Sequence, residues 1–331
     1  MNTTVKLTPR IAAMLGALVA DSAALGLHWL YDPERIAQIE KNKSIVFLPP
    51  DHDNYADVKG FFAHGGKATG DVSGYGEICL LMLKHYAAHG EFNRIAYQTE
   101  FRNLFGPGGA YSGYVDSPTR QTLLKLIPLI PEDYPEISGA DDDQFAALAT
   151  VPIVTALHSG SEDSLLAKVE QIVRVTNHND TAVAAAQYAA AVLAAVLAGT
   201  PIGQALTQAL PHAKEELGAL LEDALAMDVL DSVRAAQRFG PACHVLEGMP
   251  VIVHIVRHAT SYQQAVEANI RAGGDSCGRA IMLGAIAAAN AEQQAEVAAT
   301  IPLSWLAKYR RFSDAANAIE QFREVTDSAI S

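Results

Sequence analysis

The residue types most able to do chemistry in this chain gather in two glycine-flanked polar loops, residues 70–77 and 273–279, each leading into an apolar stretch with helical spacing. The first reads Gly70-Asp71-Val72-Ser73-Gly74-Tyr75-Gly76-Glu77. Ser73 is suited to cap the helix that follows, and Glu77 to sit in its first turn, where negative charge is favoured. The same free N–H groups suit an anionic ligand, although plain capping is the commoner role. The second reads Gly273-Gly274-Asp275-Ser276-Cys277-Gly278-Arg279. Its paired glycines allow a tight turn and close backbone approach, and Asp275 or Ser276 would cap. Cys277 would then fall in the first helical turn, beside Arg279, where a thiol becomes more acidic; a buried, inert cysteine is the more frequent alternative.

Two further segments carry polar groups in unusual settings. Asp21 interrupts an apolar helical stretch beginning near Gly16, and a lone carboxylate there needs a partner or a site to face. His28 follows one heptad later, on roughly the same face if the helix continues. The run from Gly108 to Asp116 sets Tyr111 and Tyr114 among Gly108, Gly109, Ser112 and Gly113, a composition suited to stacking on a ring and to backbone contacts with a phosphate or ribose. A structural loop would look the same.

Helices must position all of these. Residues 76–89, 145–157, 165–175, 182–197 and 279–289 combine helix formers with apolar residues at helical spacing. Asn179 or Asp180 caps the alanine-rich stretch, Gly199 and Pro201 end it, and residues 161–163 offer another cap. Strand signals are weak: residues 44–48 form one short β-like run, and 251–256 is ambiguous. Long glycine- and proline-containing loops, residues 48–70, 106–118 and 131–143, lack linker composition, so residues 1–331 read as a single domain. Loops of that length are more often functional than accidental.

The bulk numbers exclude several functions. With 331 residues, half of them apolar, the chain can bury a large core. A net charge of −13 and no clustered basic residues argue against nucleic acid or an anionic membrane surface as partner. Three cysteines without C-x-x-C spacing do not make a disulfide framework, which places the chain in a reducing cytoplasm. Residues 1–10 lack the layout of a secretory signal. Residues 11–30 and 181–199 approach the length of a membrane span, but polar interruptions in one and alanine in the other read as buried helices.

Taken in order, these segments resemble the ADP-ribosylglycohydrolase family. Its opening G-x-x-x-G-D-x-x-G helix is matched from Gly16 to Gly26, with Ala20 for the second glycine. Thr176-Asn177-His178 is similar to its His-containing loop. Phe239-Gly240, Cys243, Glu247 and Pro250 match an F-G…C…E-x-x-P segment, and Ile301-Pro302 with Trp305 match a closing I-P-x-x-W. The likeness covers residues 10–310. It implies an all-α orthogonal helical bundle, an ADP-ribosyl-like small-molecule ligand, and two magnesium ions held by a T-D-D loop and a D-T-D-T loop. Those loops fall on Ser73-Gly74-Tyr75 and on Asp275, Cys277 and Gly278, so one carboxylate of the four survives. Magnesium wants hard oxygen ligands; Ser73 and Asp275 would hold at most one ion, weakly. The departures themselves are similar to a divergent branch that includes some invertebrate lens crystallins and a selenoprotein, with Cys277 at the selenocysteine-equivalent position.

Three functions follow as expectations. One is hydrolysis of an ADP-ribose-type or related glycosidic bond with a degenerate metal site. In it Asp275, Cys277 and Asp21 are catalytic, with Asp71 or Glu77 as other bases, and Gly108, Gly109, Tyr111, Ser112, Gly113, Tyr114, Asp142 and His178 contact substrate. A second is thiol chemistry at Cys277, paired with His178 or His28. The third is a non-catalytic ligand-binding or structural role.

Overall fold

The computed structural model describes residues 7–293 and 299–330; the first six residues of the stretch weighed as a signal lie outside it. Among the described residues the regular elements are helices, joined by isolated β-bridges rather than strands. In chain order they are α1 Pro9–Ala24, α2 Pro33–Glu40, α3 Gly74–His89, α4 Arg94–Phe105, α5 Ser117–Leu126, α6 Val151–Leu157, α7 Glu162–Val173 and α8 Asp180–Leu197. There follow α9 Ile202–Gln208, α10 Glu215–Ala226, α11 Ser232–Phe239, α12 Val245–His258, α13 Tyr262–Arg271, α14 Ser276–Gln293, α15 Leu303–Lys308 and α16 Phe312–Ile330.

α1 and α14 form the central pair. α1 starts at Thr8, whose hydroxyl accepts from the Ile11 N–H, with Pro9 in the first turn. From Ala12 onward every residue of α1 is buried. The two helices approach at Gly16 and Gly284: a methyl group on Gly284 would fall on the Gly16 carbonyl oxygen. Small residues there let the backbones touch, and the Tyr262 hydroxyl fixes the crossing by donating to that carbonyl at 2.8 Å. α3, α6, α8, α12 and α13 pack around the pair. The alanine-rich α8 is capped by Asn179, as expected, and lies mostly buried, as does α1. A continuous buried cluster runs from Ala12 to Ile319.

The structure corrects three local expectations. Residues 44–48 form turns, with Phe47 at φ 53° donating its N–H to the Ala23 carbonyl. Residues 251–256 lie inside α12. Residues 145–157 are not one helix: a 3₁₀ turn, Phe145–Leu148, precedes α6.

α1 also stops earlier than its apolar pattern suggests. After Ala24 a 3₁₀ turn, Leu25–Leu27, leads into an extended stretch that holds three loops together. Trp29 N–H donates to Gly274 O and Gly274 N–H returns to Leu30 O, both at 2.7 Å. On the other side Tyr31 N–H donates to Lys59 O and Phe61 N–H to Trp29 O, both at 2.9 Å. Trp29 adopts φ 63°, a conformation that costs a bulky residue energy. This short seam is what brings the 48–70 loop beside the 273–279 loop.

Candidate functional site

The two polar loops do meet around α1, but each has its own partner there. Ser73 caps α3, accepting from Tyr75 N–H at 3.1 Å. Its own N–H and hydroxyl donate to the Asp21 carboxylate at 2.8 and 2.5 Å. A side chain on Gly76 would overlap Asp21 Oδ2, so glycine there is required by the fit. Burial raises the Asp21 carboxyl to about 7, against the pull of its two bonds from Ser73. Asp71 and Glu77 turn elsewhere: Asp71 accepts from Ala68 N–H at 2.7 Å, and Glu77 pairs with Arg311 at 3.2 Å.

Asp275 caps α14 by accepting from Gly278 N–H at 2.8 Å. The same oxygen lies 2.8 Å from His28 Nε2, and its other oxygen accepts from the Tyr75 hydroxyl at 3.0 Å. Burial opposes this charge, but His28, the Gly278 N–H and Arg279 outweigh it and hold the carboxyl below its usual range. Gly273 and Gly274, at φ 71° and 65°, supply the tight turn.

His28 reaches further. Its Nδ1 lies 2.7 Å from His64 Nε2, with both rings buried and stacked. Against an ionised Asp275, His28 carries a proton on Nε2, and in the tautomer whose Nδ1 is bare that nitrogen accepts. His64 then carries its proton on Nε2, which leaves His64 Nδ1 as a lone-pair acceptor. That atom is buried and has no partner. Burial, then the neighbouring His28, pushes His64 down to about 2, so its ring is neutral.

His64 lines a small, partly open pocket of about 10 Å³, room for roughly one water, walled by Trp29, Tyr75, Phe105, Tyr114 and Asp116. Asp116 caps α5 with Oδ1, accepting from Thr119 N–H at 3.0 Å, while its buried Oδ2 has no partner. Burial raises this carboxyl to about 6, helped by Asp142 and Asp275. Phe61, more than half exposed, packs against Trp29 and Tyr114 at the outer edge.

The remaining expected residues scatter. Of the tyrosine loop, Tyr114 reaches the cavity wall. Tyr111 stands behind it, donating its hydroxyl to Tyr114 O at 2.8 Å, with the Lys67 ammonium over its ring. Gly108, Ser112 and Gly113 are exposed, and Gly109 folds onto the end of α4. Asp142 spends Oδ1 on Gln144 N–H and influences the cavity through its charge on Asp116. His178 is exposed and rests on Arg174, 3.0 Å away.

The acidic thiol expected at Cys277 is reversed. Cys277 does lie in the first turn of α14, but it is fully buried, and desolvation with the charges of Asp21 and Asp275 drives the thiol well above its ordinary value. Its Sγ donates to the Asp21 carbonyl oxygen at 3.6 Å. His28 and His178 are bonded elsewhere, and Arg279 directs its donors to Asn269, Gly273 and Pro241.

The donors expected to hold magnesium, Ser73 and Asp275, do not fit the ion. The Ser73 oxygen is bonded to Asp21, and both Asp275 oxygens accept from protein groups, with the His28 ring and Tyr75 hydroxyl where a cation would approach. Among the described residues a different group, His85, His89 and Glu100, has ligand atoms close enough for an ion. There Asn93 N–H donates to His85 Nε2 at 3.0 Å, which fixes the proton on Nδ1, and Nδ1 lies 2.7 Å from Glu100. A metal on that nitrogen would require a doubly deprotonated ring, so the trio reads as a clamp between α3 and α4.

Sequence reasoning missed His64 and the unpartnered oxygen of Asp116. Asp116-Ser117-Pro118 is a legible helix start. His64 had no signal of its own, because its partner lies 36 residues away.

Comparison with known proteins places this geometry. A family model described as ADP-ribosylglycohydrolase matches residues 5–329. Crystallin J1A of Tripedalia cystophora is 28% identical over 326 residues, covering 95% of this chain and 96% of the crystallin. Crystallin J1B of the same animal is 26% identical over 312 residues, covering 91% of each. A solved structure titled ADP-ribosylglycohydrolase-related protein complex superposes with a TM-score of 0.67 over 96% of this chain and 97% of that one, at 16% identity, a likeness of fold.

Proposed function

Since the chain belongs to the ADP-ribosylglycohydrolase family, we propose that it hydrolyses a glycosidic bond of an ADP-ribose-type or related small molecule without a metal, using Asp275, His28 and His64 as a proton relay. The observation that supports this reading is the buried chain of hydrogen bonds from Asp275 through His28 to the unpartnered Nδ1 of His64 on the cavity wall.

In the proposed reaction a water in the cavity gives a proton to His64 Nδ1. His64 is too weak a base to keep it, so its Nε2 proton passes to His28 Nδ1. The positive charge comes to rest on His28 beside ionised Asp275. The water oxygen forms a bond to the anomeric carbon as the bond to the leaving group breaks. The leaving group takes the proton back through the same relay or from solvent. Tyr75 orients Asp275, and Asp21 with Ser73 fixes the loop from which Tyr75 projects. Placed general-base groups contribute roughly 10²–10⁴-fold.

The test is hydrolysis of ADP-ribosylated peptides and simpler ribosides in excess chelator. The reading expects turnover that survives chelation and falls at least about 100-fold in His64→Gln. Turnover that needs magnesium, or is unchanged in His64→Gln, would sink it.

One observation favours a second reading. Both curated relatives that align over nearly the whole chain are named crystallins, which supports a non-catalytic role built on the same scaffold. It expects no turnover of any glycoside, with full solubility and stability retained in His64→Gln.

A further inference from the structure

We infer that the pocket beside His64 is a one-water site and that Asp116 is its second working residue: a single water gives one hydrogen to His64 Nδ1 and the other to Asp116 Oδ2, which turns its oxygen lone pairs toward the open side. The inference rests on the hydrolase reading only for the use made of that water.

The first observation is a pair of atoms. Among the described residues, His64 Nδ1 and Asp116 Oδ2 are both buried without a hydrogen-bond partner, and both residues line the same pocket. Buried polar atoms left unpaired cost stability, so two on one wall call for a common partner. The second is size. The pocket holds about 10 Å³, the room one water takes, and a buried water needs two or more polar partners. A larger group does not enter, so a substrate stands at the mouth, where Phe61 and Tyr114 are exposed. The third is the rest of the wall. Both His28 nitrogens and the hydroxyls of Ser73 and Tyr75 are already bonded within the protein. Phe105 and Val115 offer only carbon, and the Trp29 ring stacks on His28 and His64. Asp116 Oδ1 is fixed by the α5 cap, so the carboxylate is held rather than free to swing.

A water with an acceptor on each hydrogen has no hydrogen left to offer outward, and its oxygen is the richer in electrons for both bonds. In the proposed hydrolysis the O–H facing His64 breaks and its proton enters the relay. The oxygen bonds to the anomeric carbon as the bond to the leaving group breaks. The second hydrogen stays on that oxygen, bonded to Asp116, and becomes the hydrogen of the new hydroxyl. Burial raises the Asp116 carboxyl only to about 6, so it is ionised and accepting at neutral pH.

Neutron diffraction from crystals exchanged into deuterated buffer at pH 8 reads the arrangement directly. The inference expects one ordered water whose two deuterons point at His64 Nδ1 and Asp116 Oδ2. A pocket without an ordered water, or a deuteron carried on either of those atoms and aimed into the pocket, would overturn it. Kinetics give the second readout. Asparagine caps helices as well as aspartate does, so Asp116→Asn keeps α5, and circular dichroism confirms its fold. With its amide oxygen spent on the cap, the variant sets an N–H donor where the acceptor stood. On a glycoside that the wild type turns over, kcat should fall at least about tenfold with KM unchanged, because Asp116 holds the water and not the substrate. An unchanged kcat removes Asp116 from the chemistry. The two readings fail separately. A water so placed, with no turnover of any glycoside, leaves the site standing and removes the hydrolase. Turnover that falls in His64→Gln but not in Asp116→Asn does the reverse.

Discussion

His28 Nδ1 and His64 Nε2 sit 2.7 Å apart in the interior, and the opposite nitrogen of His28 is bonded to Asp275. Two rings and a carboxylate therefore form one connected polar unit inside an otherwise apolar bundle. In such a buried unit, each further polar group left without a partner costs stability. His28→Ala removes the middle member and leaves ionised Asp275 with the Tyr75 hydroxyl and one N–H. Breaking a buried pair in this way costs about 3–5 kcal/mol. Urea unfolding should show that loss, with His28→Gln losing less because an amide can still donate to Asp275. An unchanged midpoint in His28→Ala would mean that Asp275 is neutral in the fold.

The cysteines make a second prediction. Cys79 and Cys277 are fully buried, and burial drives both thiols up; Cys243 is half-buried and raised to about 12. The thiolate is the reactive form. Native protein at pH 8 should therefore resist iodoacetamide, with slow labelling confined to Cys243, and should take up label at all three sites once unfolded in guanidinium. Mass spectrometry of the digested protein reads each site. Fast native labelling of Cys277 would restore the thiol chemistry that its helix position suggested.

Cys277 also shows where a sequence reading stops. The helix N-terminus was legible from Gly273-Gly274-Asp275, and so were the Ser73 cap, the Asn179 cap and the helical class of the whole chain, because these depend on residues close in sequence. Whether desolvation outweighs the helix terminus depends on what covers the sulfur, and Asp21 lies 256 residues away. His64 illustrates the same limit. It lies in a long irregular loop with no periodicity, and only the seam at Trp29–Tyr31 places it against His28. The metal site shows the converse. Missing carboxylates were visible in the sequence, but not that His28 and Tyr75 bond the two oxygens of Asp275.

The buried Asp116 carboxyl should make stability depend on pH with a definite sign. The Asp116 carboxyl rises from 3.8 to about 6, through burial first and then the charges of Asp142 and Asp275. The phenols of Tyr75, Tyr111 and Tyr114, which feel its charge, are themselves raised, and His64 on the same wall is neutral. A carboxyl that titrates higher in the folded state than in the unfolded one binds more protons when folded, so its contribution improves as pH falls from about 6 toward 4. Urea midpoints of wild type and Asp116→Asn from pH 4 to 8 test the trend. A flat profile in wild type, or a slope that persists in Asp116→Asn, would assign the dependence to another group.

Arg279 is the largest fully buried side chain, and its conservative replacement should not be conservative. Its guanidinium donates to Asn269 Oδ1 at 2.9 Å, to Asn269 O and Pro241 O at 3.3 Å each, and to Gly273 O. Burial lowers it only to about 10, so it remains charged at neutral pH. These bonds tie α13 and the Pro241 turn to the first turn of α14, and so hold the backbone that presents Asp275 to His28. A lysine nitrogen is a single point on a flexible stem and cannot span four acceptors. Pro241 O would keep the Asp275 N–H, but Gly273 O and Asn269 Oδ1 would be left short of a donor. Buried acceptors left unpaired cost about 1–3 kcal/mol each, so with two of them Arg279→Lys should lose about 2–6 kcal/mol in urea unfolding. Amide exchange through residues 273–278 should quicken before the rest of the chain loosens, because the lost bonds converge there. A loss of stability without faster local exchange would show that Arg279 supports the core as a whole rather than the turn that carries Asp275.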